Sequence, residues 1–309
     1  MKQLRIVGLG DYDNYLSFFT YSVMEGAIRT GNLFRPVPFF GHDLSVIKEQ
    51  ILWFKPQILI AHMLFGCGRW HNQASIFQML RDFRRKGIYV VYHNGDARKD
   101  PRYMNDISPI IDLGLLNQDG IDHYRSIWKI PVIRWPYMCL YQKEIADQID
   151  LYRCNIAFTG GLGGGPHKER TEFIYALQRR GIKIKLFPNS ETGNTRFQTA
   201  EMAASANMIL GMQMERHLKG YLDVRPFQYI GAGGLYLHDK CAQMDEFFED
   251  GKHYISYDKD NIEDFINRAE MLRGGPMTQA IREYGFKYCQ AKHSTKQRME
   301  EILKVYKGV

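Results

Sequence analysis

The feature that most limits how this chain can fold is a pattern that starts twice. A short buried strand runs into a glycine turn at Leu4–Gly10 (LRIVGLG), and the same arrangement returns at Cys154–Gly165 (CNIAFTGGLGGG). Strand-length apolar runs alternate with helical spacing after each start. In the first half the spacing predicts a helix within Tyr15–Arg29 and a strand at Phe34–Phe40. Pro36 and Pro38 place that strand near a sheet edge, because proline cannot donate to a ladder. A helix at Leu44–Phe54, a strand at Lys55–His62 and a helix at Asn72–Lys86 follow, the last closed by Gly87. Then come strands at Ile88–Asp96 and Ile111–Asn117, a helix at Gln118–Trp128 and a strand at Pro131–Tyr137. In the second half a helix at His167–Arg180 is closed by Gly181. A strand at Ile182–Pro188, a helix near Thr195–Ala206 and a strand at Met208–Met212 lead to Asp223–Tyr257, and helices run from Asn261 to Leu272 and from Met277 onward. Strands separated by helices imply parallel, doubly wound sheets. The restart near residue 150 implies two of them, joined somewhere in Cys139–Arg153.

The chain's 309 residues are enough for two ordinary domains, and 45% hydrophobic content is enough to fill two cores. Apolar runs such as Ile58–Ile60 and Ile88–Val91 are far short of the ~18 residues of a membrane helix. The N-terminus enters a strand directly, so no signal peptide is expected. The five cysteines are dispersed, odd in number and never CxxC, which argues against a zinc site or a disulfide framework. They fit a reducing, cytoplasmic setting. The net charge of +7 suits a mildly basic soluble enzyme, or a protein with an anionic partner. Basic clusters lie at Arg81–Lys86 and Arg179–Lys185, on helix ends where a solvated face explains them equally well.

Several constellations could carry chemistry. Gly8-Leu9-Gly10 begins a dinucleotide-type fingerprint, but Asp13 stands where its third glycine belongs. Gly160 to Gly165 holds five glycines in six positions, offering backbone N–H groups to an anion at the start of the next helix. No Gly-Lys-(Ser/Thr) follows, so this is not a Walker A loop. His93-Asn94-Gly95-Asp96 ends a strand whose carboxyl end would face a ligand. Asp96 is a candidate general base there, with His93, Asp11 and Asp13 as rivals. Asp11-Tyr12-Asp13 is formally DxD, in a setting unlike a metal site. His62 reads as a core histidine. HExxH and GxSxG are absent, and no metal ligand set is expected.

The stretch Asp223–Tyr257 (DVRPFQYIGAGGLYLHDKCAQMDEFFEDGKHYISY) carries a specific resemblance. Arg225, Phe227 and Gln228 open a helix that runs into Ala232-Gly233-Gly234, a hydrophobic strand, and then Phe248-Glu249-Asp250-Gly251-Lys252. This order resembles the donor-nucleotide half of GT-B glycosyltransferases, in particular the group related to spore-maturation CgeB proteins. The chain departs from that pattern at Gln228 and at His253, where the family commonly has Glu. The resemblance implies an α/β protein of two Rossmann-like domains facing across a cleft. Residues 1–145 would form the acceptor domain, 146–280 the donor domain, and 281–309 a helical segment packing back toward the first.

The resemblance further implies a hexosyl- or pentosyltransferase that uses a nucleotide-sugar, expected to be a UDP-sugar, with no permanently bound cofactor and no metal. Gly161, Gly163, Gly164, His167, Arg170, Arg225, Gln228, Gly233 and Gly234 would hold the donor. Gln228 would stand in for the ribose-binding Glu, as an amide that accepts and donates but carries no charge. The acceptor would be a glycan, a small molecule or DNA. A phage-type enzyme acting on hydroxymethylated pyrimidines would use Arg81, Arg84, Arg85, Lys86, Arg98, Lys99 and Arg102 to neutralise phosphates. Gln228 also leaves open a non-catalytic nucleotide- or sugar-binding module. A Rossmann dehydrogenase is disfavoured, because neither half has GxGxxG with an acidic residue about 20 positions on.

Overall fold

The computed structural model describes residues 3–10, 18–39, 41–62, 73–94, 104–119, 121–187, 196–213 and 219–308. These fall into two compact units. One takes Met1–Pro136, Leu218–Tyr221 and Thr295–Val309; the other takes Tyr137–His217 and Leu222–Ser294.

The first unit is built on a six-stranded sheet of β1 (Arg5–Gly10), β2 (Leu33–Pro38), β3 (Ile58–His62), β4 (Tyr89–Asn94), β5 (Leu113–Leu116) and β6 (Val132–Arg134). Every pairing is parallel, and the order is β2-β1-β3-β4-β5-β6. The proline-bearing strand β2 is an edge, as the missing N–H groups require. Helices α1 (Phe18–Arg29), α2 (Leu44–Phe54), α3 (Gln73–Arg85), α4 (Met104–Ile107) and α5 (Ile121–Trp128) connect the strands. Alternate strand residues Val7, Leu9, Leu59, Ala61, Val90 and Tyr92 share one core with Ile47 and Ile51 of α2 and Ile76, Met79, Leu80 and Phe83 of α3. Burying each such side chain is worth roughly 1.5–3 kcal/mol.

The second unit has a five-stranded parallel sheet of β7 (Cys154–Thr159), β8 (Ile184–Phe187), β9 (Ala206–Gly211), β10 (Tyr236–Asp239) and β11 (Ile255–Tyr257), in the order β11-β10-β9-β7-β8. Here both faces are covered. Ile156, Phe158, Met208, Leu210 and Leu237 pack with α6 (Lys168–Arg179) and α10 (Ile262–Met271). Ala157, Ile209 and Tyr236 pack with α7 (Arg196–Ser205), α8 (Val224–Gly231) and α11 (Pro276–Lys292). Two-sided burial explains why these strands read as continuous apolar runs. A short α9 (Ala242–Phe247) precedes β11. Read in chain order, both sheets begin 2-1-3-4-5, so the connections reverse between the first and third strands of each. The carboxyl ends of those two strands are where ligands of such sheets bind.

The final helix, α12 (Thr295–Lys307), belongs to the first unit. It lies against α1 so closely that a Cβ on Gly26 would stand 2.5 Å from the Thr295 carbonyl oxygen. Thr295 Oγ1 donates to Glu25 at 2.7 Å, and the Trp135 indole N–H donates to the Arg298 carbonyl at 2.9 Å. The units thus change over at Pro136 and Thr295, ahead of the Cys139–Arg153 stretch and later than residue 280. The reason is α11, whose Gln290 amide donates to the carbonyls of Leu140 and Gly231, both at 2.8 Å, and ties those segments to the second unit. No helix among the described residues is long and apolar enough to cross a membrane.

Candidate functional site

The second unit gathers its charge at the carboxyl end of β7. Thr159 shares a 2.5 Å hydrogen bond with the Tyr229 hydroxyl. Gly160 follows at φ +135, a conformation L side chains rarely adopt. A Cβ there would sit 2.9 Å from Arg225 Nη1 and 3.6 Å from Arg170 Nη2. Two guanidiniums therefore flank the turn.

Each guanidinium is held by a different element. Arg225 enters on the first turn of α8, whose N-cap is Asp223. The Asp223 carboxylate accepts from the Arg225 backbone N–H at 2.9 Å, from Nε at 3.2 Å and from Nη2 at 2.5 Å. Arg225 Nη1 donates to the Thr159 carbonyl at 3.3 Å. Burial lowers the Arg225 pKa, but Asp223 outweighs it and the net shift is upward. Arg170 comes from α6 and is only 2% exposed. It donates to the Gly161 carbonyl and meets His167 Nδ1 at 3.0 Å, while its Nε has no partner among the described residues. Burial, then the charge of Arg225, lowers its pKa to about 10. Arg225 is paired with Asp223, while Arg170 has no carboxylate partner among the described residues, so a positive charge is left there without a counter-ion. Such a site attracts an anion, and the N-terminus of α6 adds its dipole.

The glycine turn only partly offers its amides. The Gly163 N–H donates to Thr171 Oγ1 at 2.9 Å, and that hydroxyl reaches the carbonyls of Gly163 and His167. The N–H groups of Gly161 and Gly164 have no acceptor among the described residues. Gly161, Gly164, His167, Arg170 and Arg225 are thus brought together, with Gly163 spent on the turn itself.

Gln228, one turn along α8, is half-buried, and its amide has no partner among the described residues. Gly233 and Gly234 are not brought to this place. They follow the far end of α8, at the amino end of β10. A Cβ on Gly233 would stand 2.5 Å from Ile145, and one on Gly234 would stand 2.7 Å from Ile209. Their size is demanded by packing. Reasoning from sequence missed Asp223, Tyr229 and Tyr236. Tyr236 is 1% exposed, and its hydroxyl has no hydrogen bond among the described residues. A Cβ on Gly211 would overlap that hydroxyl, so β9 must carry glycine beside it. The Asp-x-Arg spacing of Asp223 and Arg225 was the available clue, since Asp is a preferred N-cap.

In the first unit, His93, the last but one residue of β4, is fully buried. Asp11, Asp13 and Asp96 lie outside the described residues, as do Arg98, Lys99 and Arg102. Arg84 and Arg85 occupy the last turn of α3, with Arg81 in the turn before and Lys86 just after it, beside the amino ends of the strands. Arg84 pairs with Asp112 at 2.7 Å, just before β5, and Arg81 donates to Gln78. The cluster is a solvated helix end at the opposite edge of the sheet from His62 and His93.

Residues 170–304 match a protein family described as glycosyl transferase-like. Sucrose-phosphate synthase from Thermosynechococcus elongatus superposes with a TM-score of 0.62 at 8% identity, covering 99% of both chains. Anabaena HepE, crystallised with UDP and glucose, gives 0.60 at 9% identity, covering 99% of this chain and 100% of its own. T4 phage BGT, crystallised with UDP-glucose, gives 0.60 at 12% identity and 99% of both chains. At such identities the likeness establishes the fold. No curated protein matches the sequence.

Proposed function

We propose that this GT-B-fold chain, glycosyl transferase-like over residues 170–304, moves a sugar from a nucleotide-sugar to a hydroxyl acceptor, with the donor diphosphate held by the second unit. One observation carries this reading. Two guanidiniums flank a glycine turn and a helix N-terminus: Arg170 is buried, and the part-buried Arg225 is paired with Asp223. They stand at the carboxyl end of β7, where the strand order reverses. The unmatched charge suits a diphosphate. It suits a leaving diphosphate better still, because negative charge grows there as the glycosidic bond breaks. The N–H groups of Gly161 and Gly164 add neutral donors. In this reading Gln228 takes a ribose hydroxyl, which its amide can both donate to and accept from. A UDP donor is favoured by the relatives crystallised with UDP or UDP-glucose.

The acceptor is assigned to the first unit, as a small molecule or glycan hydroxyl. The basic end of α3 lies at the amino edge of that sheet and gives no support to a DNA acceptor. Arg170 and Arg225 replace a metal as the counter-charge, so turnover should survive EDTA. A panel of UDP-glucose, UDP-N-acetylglucosamine, GDP-mannose and free UDP, scored by melting temperature, tests the reading. A ligand at about 100 times its Kd stabilises by about 2.7 kcal/mol, and UDP compounds should lead. No shift with any of the four would overturn the proposal.

A further inference from the structure

The basic end of α3, which the donor reading leaves unused, lies on a side of the first unit that also gathers exposed apolar side chains. Each crossover helix hands the chain to the amino end of the next strand, so the last turns of α1, α2, α3 and α5 share the amino edge of the sheet. Six large apolar side chains are exposed among the described residues of this unit, and five stand on that edge: Ile28, Leu33, Leu52, Trp53 and Ile127. Val46, in the first turn of α2, is the exception. Trp53 is 72% exposed, and the Arg35 guanidinium lies 4.9 Å from the centre of its ring. Lys55, Arg85, Lys86 and Lys129 are exposed on the same edge. Lys55, Lys86 and Lys129 make no ion pair among the described residues. The nearby carboxylates of Asp82 and Asp112 are already met by Lys48, Arg85 and Arg84. Between the ends of α2 and α3, a groove of about 300 Å³ is lined by Leu52 and Phe83 and by Lys48, Arg85 and Lys86, with Asp82 the one carboxylate in its lining.

We propose that this edge is a docking surface for an anionic membrane, with Trp53 and its apolar neighbours at the headgroup boundary and the lysines and arginines on the lipid phosphates. The helix dipole accounts for cations at helix C-termini, but not for the apolar side chains set among them. A mostly cationic patch with an aromatic and several aliphatic side chains suits an anionic bilayer surface. Its apolar groups gain by leaving water, and its cations gain by approaching the lipid charge. Nucleic acid would satisfy the cations, but it has nothing for Ile28, Leu33 or Ile127. A second copy would satisfy the apolar groups, but a two-fold interface brings a patch against itself and would set cation against cation. Pro36 and Pro38 also blunt β2 as an edge for pairing with another chain. The docking does not depend on glycosyl transfer. It uses the amino edge and leaves the carboxyl ends of the strands, where ligands of such sheets bind, to the solution.

Co-sedimentation of the whole chain with lipid vesicles tests this. The protein should pellet with vesicles of phosphatidylglycerol and phosphatidylcholine in equal parts, and stay in solution with phosphatidylcholine alone. Added salt should weaken the binding. Lys55→Glu/Lys86→Glu should weaken it roughly 25-fold or more, because each lysine near such a surface is worth about fivefold. Trp53→Ala should weaken it by about tenfold or more, the value of burying a large apolar side chain. All three residues are exposed, so melting temperature and UDP affinity should stay parental. Brominated lipid should quench the parent's tryptophan fluorescence more than that of Trp53→Phe, since Trp128 and Trp135 are buried. No binding to the anionic vesicles overturns the proposal, and so does parental binding by both variants. Loss in the charge variant alone, without quenching, overturns docking through Trp53. Binding of a DNA duplex in place of vesicles, or Trp53-dependent dimers without vesicle binding, gives the edge another partner and also overturns it. A parent that binds vesicles but no nucleotide overturns the glycosyl-transfer reading and leaves this one standing.

Discussion

Asp223 does two jobs, and the consequences of changing its neighbours follow from that. It caps α8 and it neutralises Arg225. Replacing Arg225 by Ala removes a charge-assisted phosphate contact worth roughly 1.5–3 kcal/mol, so UDP affinity should fall at least tenfold. The same change strands a largely buried carboxylate, so the melting temperature should fall as well. Gly160→Ala should reproduce the affinity loss with both arginines present, because its Cβ would press on Arg225 Nη1 from a strained backbone. Calorimetry with UDP, run well below each variant's melting temperature, separates binding from folding. Parental affinity in both variants would move the anion site elsewhere.

At the scale of elements, the two sheets solve one problem twice. Parallel strands put all carboxyl ends on one edge, and each crossover helix carries the chain back to the other edge. That geometry brings Arg225 to the β7 turn and takes Gly233 and Gly234 away from it, although they lie within one short stretch of sequence. It also takes the basic end of α3 away from His62. The α1–α12 contact is a second element-level device. Gly26→Ala would gain up to about 1 kcal/mol of helix propensity, but its methyl meets the Thr295 carbonyl and Met299. Overpacking of this kind costs about 1–3 kcal/mol, so a net loss of about 1–2 kcal/mol is expected in urea titration. A gain in stability would show that the helices separate freely.

For the molecule as a whole, His62 and His93, whose Nδ1 atoms stand 2.9 Å apart, should set a limit on acid stability. Burial lowers the His62 pKa to about 3 and pushes His93 well below its usual value, with His62 adding to the effect on His93. Both rings are neutral when folded, whereas in the unfolded chain they titrate near 6.5. The unfolded state therefore binds more protons below pH 6.5, and the pair's contribution, complete above that pH, is lost as pH falls toward 3. Each histidine should add about 1.4 kcal/mol of lost stability per pH unit in that window. Unfolding free energies at pH 7, 6, 5 and 4 should fall less steeply in His62→Gln/His93→Gln than in the parent. Equal slopes would mean that the rings titrate normally in the fold.

What the sequence determined by itself was local and periodic. The alternation of apolar runs with helical spacing, the Gly turns at Gly10 and Gly160, and the prolines of β2 were enough for an α/β chain of parallel sheets that starts twice. Strand and helix ends differ from the structure by a few residues, and the short turns at Met104–Ile110, broken by Pro109, carried no periodicity to read. Arg170, Arg225 and the glycine turn could be named from their order along the chain. The tertiary structure decided which neighbours in sequence become neighbours in space. It set Asp223 beside Arg225 with Arg170 across Gly160, and it gave Gly163 to Thr171. It explained Gly233 by Ile145, and it turned His62 from a core residue into the outer member of a pair with His93. Those pairings depend on strand order and register, and a residue's own sequence does not encode which strand lies next to it.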